Sequence, residues 1–415
     1  METKRIVVVG GGPAGMMAAI RAGQLNQDVT LVEKNPALGK KLLLSGKGRC
    51  NLTNTGDLET FLESFSRNGQ FLRDAFKKFF NLELIEFFEK RGCKMKVERQ
   101  LRVFPDSDRS ASVLDVLKKE LLDSRVKIIF GAALKDIVVR SNKVQAALFE
   151  GNAKYMEAER IILATGGLSF RFTGSTGEGL KIAERLGHKV TALVPALVPL
   201  VVSGGYPKRL EGLTLKNIRL KFGAGKKEIV SEIGELLFTG FGISGPLVLS
   251  LSGQVSTWLK EEKRPYVEID LKPALSAEQL DSRLLREFKA GPTMNLKNVL
   301  KTLLPLRLID VFIEILKING NEKASHVTLE DRRKIAFLLK NFRFEITGTL
   351  PLEEAMITKG GVSLKDIDPR TMESRLIKGL YFAGEMIDVE ADTGGFNLQA
   401  AFSTGYLAGE SAALG

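Results

Sequence analysis

The chain has 415 residues, 44% of them hydrophobic, with 41 glycines and a formal net charge of +12. That length and apolar content support two or three domains with their own cores and exclude a disordered tail or a fibre. Two cysteines, Cys50 and Cys93, neither in a C-x-x-C pair, exclude a disulfide framework and a dithiol reductase, and they predict a reducing, cytoplasmic compartment.

The N-terminus runs from METKR directly into an apolar segment without a signal-peptide core. No uninterrupted apolar run reaches the roughly 18 residues that a membrane span needs, so no membrane partner is expected. The stretch RIVVVGGGPAGMMAAIRAGQLNQDVTLVEK (5–34) reads as a strand from Ile6 to Val9, a glycine turn, a helix from about Pro13 and Ala14, and a second strand from Val29 to Val32 that ends at Glu33 and Lys34. Gly10, Gly12 and Gly15 stand at G-x-G-x-x-G spacing. The first makes the tight turn, the second lets the backbone approach a diphosphate, and the third lets the helix pack close to the strand. The helix N-terminus offers free N–H groups and a partial positive charge to phosphates. Glu33, eighteen residues after Gly15, is placed to accept hydrogen bonds from an adenosine ribose. A purely structural turn would explain the glycines alone, but not strand, turn, helix, strand and acid in this order.

Next comes NPALGKKLLLSGKGRCNLTN (35–54), which has to carry the chain from the adenosine end of a dinucleotide towards its far end. Gly39, Gly46 and Gly48 permit backbone contact, with Ser45 and Asn51 beside them. Lys40, Lys41 and Arg49 are expected near phosphates or an electron-rich ring edge. Cys50 has two readings: a compact buried side chain packing beside the cofactor, or a thiol that donates a proton to substrate. The amphipathic segment 59–92 carries Phe71, Phe76, Phe79, Phe80, Phe87 and Phe88. Two core-packed helices are its first reading, and an aromatic stacking platform for nucleic acid its second. Cys93 has no motif around it and reads as structural. Further on, RIILATGG (160–167) is a buried-type strand whose end, Ala164, Thr165 and Gly166, again allows a cofactor close to the backbone.

From about Ala192 to Leu350 the pattern changes. ALVPLVV, TLKNIRLKFGA, KEIVSEIGELLFT and YVEIDLK read as strands, and three later segments between 276 and 342 show helical spacing. Residues 191–350 hold 24 Lys and Arg against 17 Asp and Glu, a net of +7. Either these are solvated faces or they attract an acidic substrate, and Lys226 and Lys227 are candidates for the latter. The dinucleotide pattern returns at GLYFAGEMIDVEADTGGFNLQAAFSTGYLAG (379–409): a strand from Leu380 to Ala383, a Gly384-Glu385 turn, and Gly394-Gly395 opening an apolar helix from about Asn397. Only one complete G-x-G-x-x-G exists, so any NAD(P)H must dock transiently, without a Rossmann domain of its own. His188 and His326 stand 138 positions apart and the cysteines are isolated, so no metal site is expected.

The segments GGGPAGMMAA, GKKLLLSGKGRCNLTN, RVFPDSDRSASVLDVL, ATGGLSFRFTGSTGEGLKIA, GELLFTGFGISGPLVLSLS, TKGGVSLKDIDPRTMESRLIKGLYFAGEMID and TGGFNLQAAFSTGYLAG resemble the BaiN/RdsA family of FAD-dependent oxidoreductases over essentially the whole length. The resemblance implies an α/β fold, with a discontinuous Rossmann-type FAD-binding domain (1–191 and 351–415), an inserted β-barrel subdomain (192–273, completed by about 341–350) and a small helical subdomain (274–340). It extends the FAD set to Ala133, Leu134, Phe396 and Gln399 alongside Asn397, and it makes 35–54 the flavin-binding loop. The substrate face would be bounded by Arg49 to Asn51, Gly394 to Asn397 and Phe238 to Ser244, with Thr239 and Ser244 as hydrogen-bond donors. The activities it implies are reduction of a uracil in large-subunit ribosomal RNA, reduction of an enone such as a bile-acid intermediate, or oxidation of an aminoacetone-like amine. A non-catalytic FAD-containing binding module would leave the flavin loop unexplained. Many members carry histidine where this chain has Gly240, which argues against transferring an amine-oxidase mechanism. No feature of the sequence specifies an oligomeric state.

Overall fold

A run of β-branched residues buried on both faces makes the strand Arg5–Val9 the centre of a parallel sheet. The computed structural model, which describes residues 3–65 and 68–415, pairs it with Asp28–Glu33 on one side (Val9 opposite Val32) and with Arg160–Leu163 on the other (Val9 opposite Leu163). Lys127–Phe130 and Leu380–Phe382 complete a five-stranded sheet at its two edges. The neighbours of Arg5–Val9 are reached in opposite directions, so a topological switch point lies at its carboxyl end, where the glycine turn is. The chain forms two compact units, residues 1–195 with 352–415, and residues 196–351.

The first unit is closed by its two terminal helices, Pro13–Gln24 and Phe396–Leu414. A Cβ at Gly405 would lie 2.2 Å from the carbonyl oxygen of Ala14, and one at Gly409 would lie 2.3 Å from that of Ala18. Contacts that advance together on both helices make them parallel. Phe396 precedes Gly405 by nine residues and Pro13 precedes Ala14 by one, so at 1.5 Å rise the last helix begins about 12 Å before the first along their shared direction.

Between these elements lie pieces that the periodicity did not single out. Ala132–Arg140, Lys143–Gly151 and Tyr155–Glu157 form an antiparallel three-stranded sheet. The segment 59–92, expected as two helices, is broken into Leu58–Glu63, Arg73–Lys78 and Asn81–Glu89. Phe79, at φ −154° and ψ 93°, interrupts the helical backbone between the last two. Residues 66 and 67 of this stretch lie outside the described residues. Phe61, Phe76 and Phe88 are buried and meet other rings edge-on or tilted, and buried Phe79 stacks on Tyr406, so these aromatics are core.

In the second unit, Leu200–Val202, Thr214–Ala224, Gly234–Thr239, Gly242–Ser244, Tyr266–Asp270 and Phe342–Thr349 are joined by antiparallel pairings. Contact between Thr214–Ala224 and Tyr266–Asp270 closes the ring into a barrel. The single strand expected across KEIVSEIGELLFT is two, Lys227–Val230 and Gly234–Thr239, on either side of a non-strand break. Pro246–Lys260 packs on the barrel, and Ala277–Ala290, Leu306–Leu316 and Leu329–Lys340 bury their apolar stripes in the same core.

Candidate functional site

The three glycines of the first turn are distinguished by what surrounds them. Gly10 has φ +108°, and a Cβ there would stand 2.4 Å from the carbonyl oxygen of Ala164; one at Gly15 would stand 1.9 Å from that of Gly10. Both are required by the fold itself. Gly12 differs, since a Cβ there meets nothing within 4 Å. The space beside it is open, and it caps the helix Pro13–Gln24 without any side-chain hydrogen bond to the first-turn N–H groups. An open concavity over free N–H donors suits a diphosphate.

At the end of the second strand, buried Glu33 accepts hydrogen bonds from Gly11 N (2.7 Å), Asn35 N (2.8 Å) and Asn35 Nδ2 (2.7 Å). Asn35 in turn donates to Thr173 O (3.0 Å) and accepts from Lys40 Nζ (3.0 Å). Lys34 reaches Thr176 and Glu178 (2.5 and 2.9 Å), and Gly39 N donates to Gly11 O (2.9 Å). The loop 170–177 thus wraps the corner where a ribose would lie, with Ala133 and Leu134 just beyond the edge strand whose Phe130 pairs with Glu33. Lys41 does not stand free for a phosphate: its Nζ is 2.6 Å from both Ser169 Oγ and Glu385 Oε2, and Glu385 also accepts from Ser169 Oγ (2.9 Å) and Thr358 N (2.7 Å). Gly384 N donates to Thr404 Oγ1 (3.0 Å), and a Cβ on Gly384 would sit 2.8 Å from that of Ala14. The second turn is therefore against the first.

Gly46 and Lys47 are left-handed, and a Cβ on Gly48 would be free of contacts within 4 Å. Arg49 is not left to face a ring edge. It forms hydrogen-bonded ion pairs with Glu98 and Asp108 (Nε–Oδ1 2.7 Å) and lies 4.2 Å from the centroid of Phe104. Glu98 and Asp108 are held below the usual carboxylate range, first by hydrogen bonds to Arg49 and to Lys96 respectively. Cys50 is wholly buried in the core, and burial pushes its thiol up to about 12.

Asn51, with its amide turned so that Oδ1 accepts from Gly395 N (3.0 Å), donates to Thr53 O and Val103 O (3.1 and 3.3 Å). Asn54 Nδ2 donates to Gly394 O (3.2 Å), and a Cβ on Gly395 would stand 2.3 Å from Thr53 O. The 45–54 loop and the turn that opens the last helix are one construction. Phe396 packs against Phe61 at 4.8 Å and Gln399 bonds Thr53, Ser403 and Phe79 O, so both side chains serve the core and only the backbone here is open to a ligand. Asn397 clamps the preceding loop, accepting from Ala391 N (2.9 Å) and donating to Ala391 O (2.8 Å) and Asp392 O (3.3 Å). The last helix has no side-chain cap either. Open space at Gly12 and Gly48, and two uncapped parallel helix N-termini staggered by about 12 Å, fit an extended dinucleotide such as FAD, with its diphosphate at one end and its ring at the other.

Asn35, Thr53, Asn54, Ser169 and Thr358 escaped the motif reading. The segments 35–54, 164–183 and 358–388 hold all five, but as polar residues without charge they carry no local signal of a site.

In the second unit the four candidate substrate residues are not brought together. Lys226 and Lys227 are at the hairpin beyond Ala224, whereas Thr239 lies past the Leu237–Thr214 pair at the other end of the same strand, about 30 Å away at 3.3 Å per residue. Lys227 is also paired with Glu261 at 3.5 Å. Thr239 Oγ1 is buried without a partner, and Ser244 pairs with Leu237 in the barrel wall. Phe238 is core, facing Phe342 and Phe344. A Cβ on Gly240 would approach the Glu211 carboxylate to 3.0 Å.

Among the described residues no helix is long and apolar enough to cross a membrane. The family model described as the HI0933-like protein Rossmann domain matches residues 4–411. The chain is 33% identical over 412 residues to the 3-dehydro-bile acid delta(4,6)-reductase of Clostridium scindens, covering 99% of each, and 31% identical to the ribosomal RNA dihydrouridine synthase of Haemophilus influenzae, covering 96% of each. Its fold is similar to that of the 3-ketosteroid-delta4-(5alpha)-dehydrogenase from Rhodococcus jostii RHA1, with a TM-score of 0.55 at 15% identity over all of this chain and 98% of that one. A match over nearly the full length, with the switch-point turn intact, places the chain in the HI0933-like, BaiN/RdsA family of FAD-dependent oxidoreductases.

Proposed function

We propose that this protein is a reductase that saturates a carbon–carbon double bond conjugated to a carbonyl, and that its substrate is a uracil in large-subunit ribosomal RNA. The observation that carries the reading is the chemistry shared by its two kinds of full-length relative. Dihydrouridine formation and delta(4,6) reduction of a 3-dehydro bile acid each place a hydride on a carbon conjugated to a carbonyl and a proton on its neighbour. FAD, when bound, supplies the hydride, with NAD(P)H as the proposed transient electron donor. In this reading Gly12 and the N–H groups of Pro13–Gln24 hold the diphosphate and Glu33 the ribose. The N-terminus of Phe396–Leu414 faces the ring edge where negative charge collects on reduction.

RNA is preferred over a steroid on the charge of the second unit, 24 Lys and Arg against 17 Asp and Glu. Many of these cations are consumed internally, Arg332 by Asp281 (2.7 Å) and Lys340 by Asp270 (2.6 Å) among them. Arg333 is exposed with no acidic partner among the described residues, one turn before Phe337, which is 68% exposed. A free cation beside an open aromatic face suits phosphate and base together. The bile-acid reductase, as similar to this chain as the RNA enzyme, supports a second reading with a small enone as substrate. Mass mapping of dihydrouridine in ribosomal RNA from cells with and without the gene tests the first. Loss of one dihydrouridine in the deletion strain is expected, and an unchanged map returns the assignment to the small enone.

A further inference from the structure

The acids around the glycine turns can be accounted for one at a time. Glu33 is occupied by Gly11 and Asn35, Glu98 and Asp108 by Arg49, Glu385 by Lys41, Ser169 and Thr358, and Glu390 by Lys359 at 3.3 Å. Asp392 is different. Its side chain is exposed and makes no hydrogen bond or ion pair among the described residues.

Its backbone, by contrast, is fixed on both sides. Asp392 N donates to Ser64 O (3.2 Å), Asp392 O accepts from Asn397 Nδ2 (3.3 Å), and the same Asn397 amide holds Ala391 at both its N–H and its carbonyl. Two residues on comes the Gly394–Gly395 turn, docked on Asn51, Thr53 and Asn54. The backbone that carries this unpartnered carboxyl group is thus fixed at the junction of the loop and the helix end that would border the reacting ring. Neighbouring protein atoms partly desolvate the carboxyl even though it reaches water, and that pushes it up to about 6. No charged neighbour contributes to the shift: Glu390, two residues earlier, is tied to Lys359. The N-terminus of the last helix would favour the carboxylate, so desolvation outweighs it.

We propose that Asp392 is the catalytic acid that protonates the substrate carbon next to the one receiving hydride. The inference rests on the reductase reading above. Reduced FAD, when bound, would supply the hydride with its two electrons and be oxidised in doing so, and the bond that opens in exchange is the substrate's carbon–carbon π bond. The electron pair left on the neighbouring carbon takes the proton of the Asp392 carboxyl, breaking O–H and forming C–H, and the carboxylate recovers a proton from water. Cys50, the other candidate, is buried in the core without access to solvent.

The test uses anaerobic, pre-reduced holoenzyme in single turnover with two probes, a large-subunit ribosomal RNA fragment and a 3-oxo steroid acid with conjugated double bonds. Asp392→Asn is expected to keep its FAD and its oxidation by ferricyanide, which needs no carbon protonation, and to lose transfer to the carbon substrate by about 10²- to 10⁴-fold. Asp392→Glu should recover part of the rate. The wild-type transfer rate should fall as pH rises above about 6 with a one-proton dependence that Asp392→Asn lacks. An infrared titration of the holoenzyme should show a carboxylic C=O band that disappears near pH 6 and is missing in Asp392→Asn. Transfer by Asp392→Asn at the wild-type rate and with the wild-type pH profile overturns the proposal, as does absence of the band. Wild-type enzyme inactive on both probes is a separate result, which removes the reductase reading and this role with it.

Discussion

A Cβ on Gly405 would lie 2.2 Å from the carbonyl oxygen of Ala14, so the first and last helices of the chain touch backbone to backbone. That contact sets the stagger of their N-termini and hence the reach of the dinucleotide site. Gly405→Val should therefore destabilise the folded protein by about 1–3 kcal/mol or more, because neither backbone can retreat without moving its glycine turn. Gly12→Val is the contrasting variant. Its Cβ enters open space, so the fold should survive while the diphosphate is excluded. Thermal melts of the apoproteins together with FAD content after gel filtration separate the two: Gly405→Val should melt early, and Gly12→Val should melt like the parent and elute colourless.

Glu33→Ala removes the acceptor of three hydrogen bonds as well as the proposed ribose contact. Buried hydrogen bonds to a charged group contribute about 1.5–3 kcal/mol each, and leaving Gly11 N and Asn35 N unpaired adds to the loss. Glu33→Gln keeps one acceptor oxygen and should fall between. Equilibrium dialysis of FAD is expected to rank retention as parent, Glu33→Gln, Glu33→Ala. An Ala variant that holds FAD as tightly as the parent would move the ribose elsewhere.

Gly10, Gly12, Gly15 and Glu33 were legible in the sequence because a strand-turn-helix-strand unit is local: each residue's role follows from neighbours within about 25 positions. The site's cations were not. Arg49 reads as a ligand for phosphate until the fold brings Glu98 and Asp108 to it, and Lys41 until Glu385 arrives from 344 positions away. An ion pair between distant residues leaves no periodic trace. The same holds for Asn397, whose clamp on Ala391 and Asp392 is a matter of side-chain direction, and for Lys226 and Thr239, whose separation along one strand appears only when the hairpin registers are known.

Binding to RNA through phosphates should weaken steeply as salt rises, by a slope set by the number of phosphates neutralised. Lys226→Glu with Arg333→Glu should lower affinity and reduce that slope while leaving the flavin spectrum unchanged. Arg332→Glu should instead destabilise the helical region, because Arg332 is committed to Asp281. Filter binding at several salt concentrations checks this, and binding indifferent to salt would favour the small enone.

His188 gives the stability a pH dependence of known sign. Ser374 Oγ accepts from Leu376 N and Ile377 N, so its hydrogen is directed to His188 Nε2 (2.6 Å), and His188 Nδ1–H donates to Ala183 O (3.1 Å). The ring is therefore held neutral, and burial lowers its pKa below the ordinary 6.5, against smaller opposing effects of Ala183 O and Asp366. The unfolded chain then binds the proton more readily than the folded one. Stability is complete above about pH 6.5 and declines as pH falls below it. His188→Gln should flatten that acid decline in urea melts. Asp392 acts oppositely over part of the range, since its raised pKa of about 6 makes stability fall as pH rises from about 4 to about 6. Asp392→Asn should accordingly steepen the profile that His188→Gln flattens.

Cys50 combines full burial, a thiol pushed up to about 12 and a left-handed backbone at φ 62°. At neutral pH its thiolate is on the order of one part in 10⁵, so it is neither a nucleophile nor a responsive acid. A side chain in the left-handed region costs roughly 1–2 kcal/mol, and what offsets that here is filling the core beneath the 45–54 loop. Cys50→Ala should keep that backbone, lose about 1 kcal/mol of stability to the smaller side chain, and retain FAD and near-normal transfer to substrate. Iodoacetamide should leave the native thiol unmodified. Loss of transfer in Cys50→Ala with FAD bound and still reducible would give the proton to Cys50 and take it from Asp392, so single-turnover rates of the two variants, measured side by side, decide between a buried thiol and an open carboxyl.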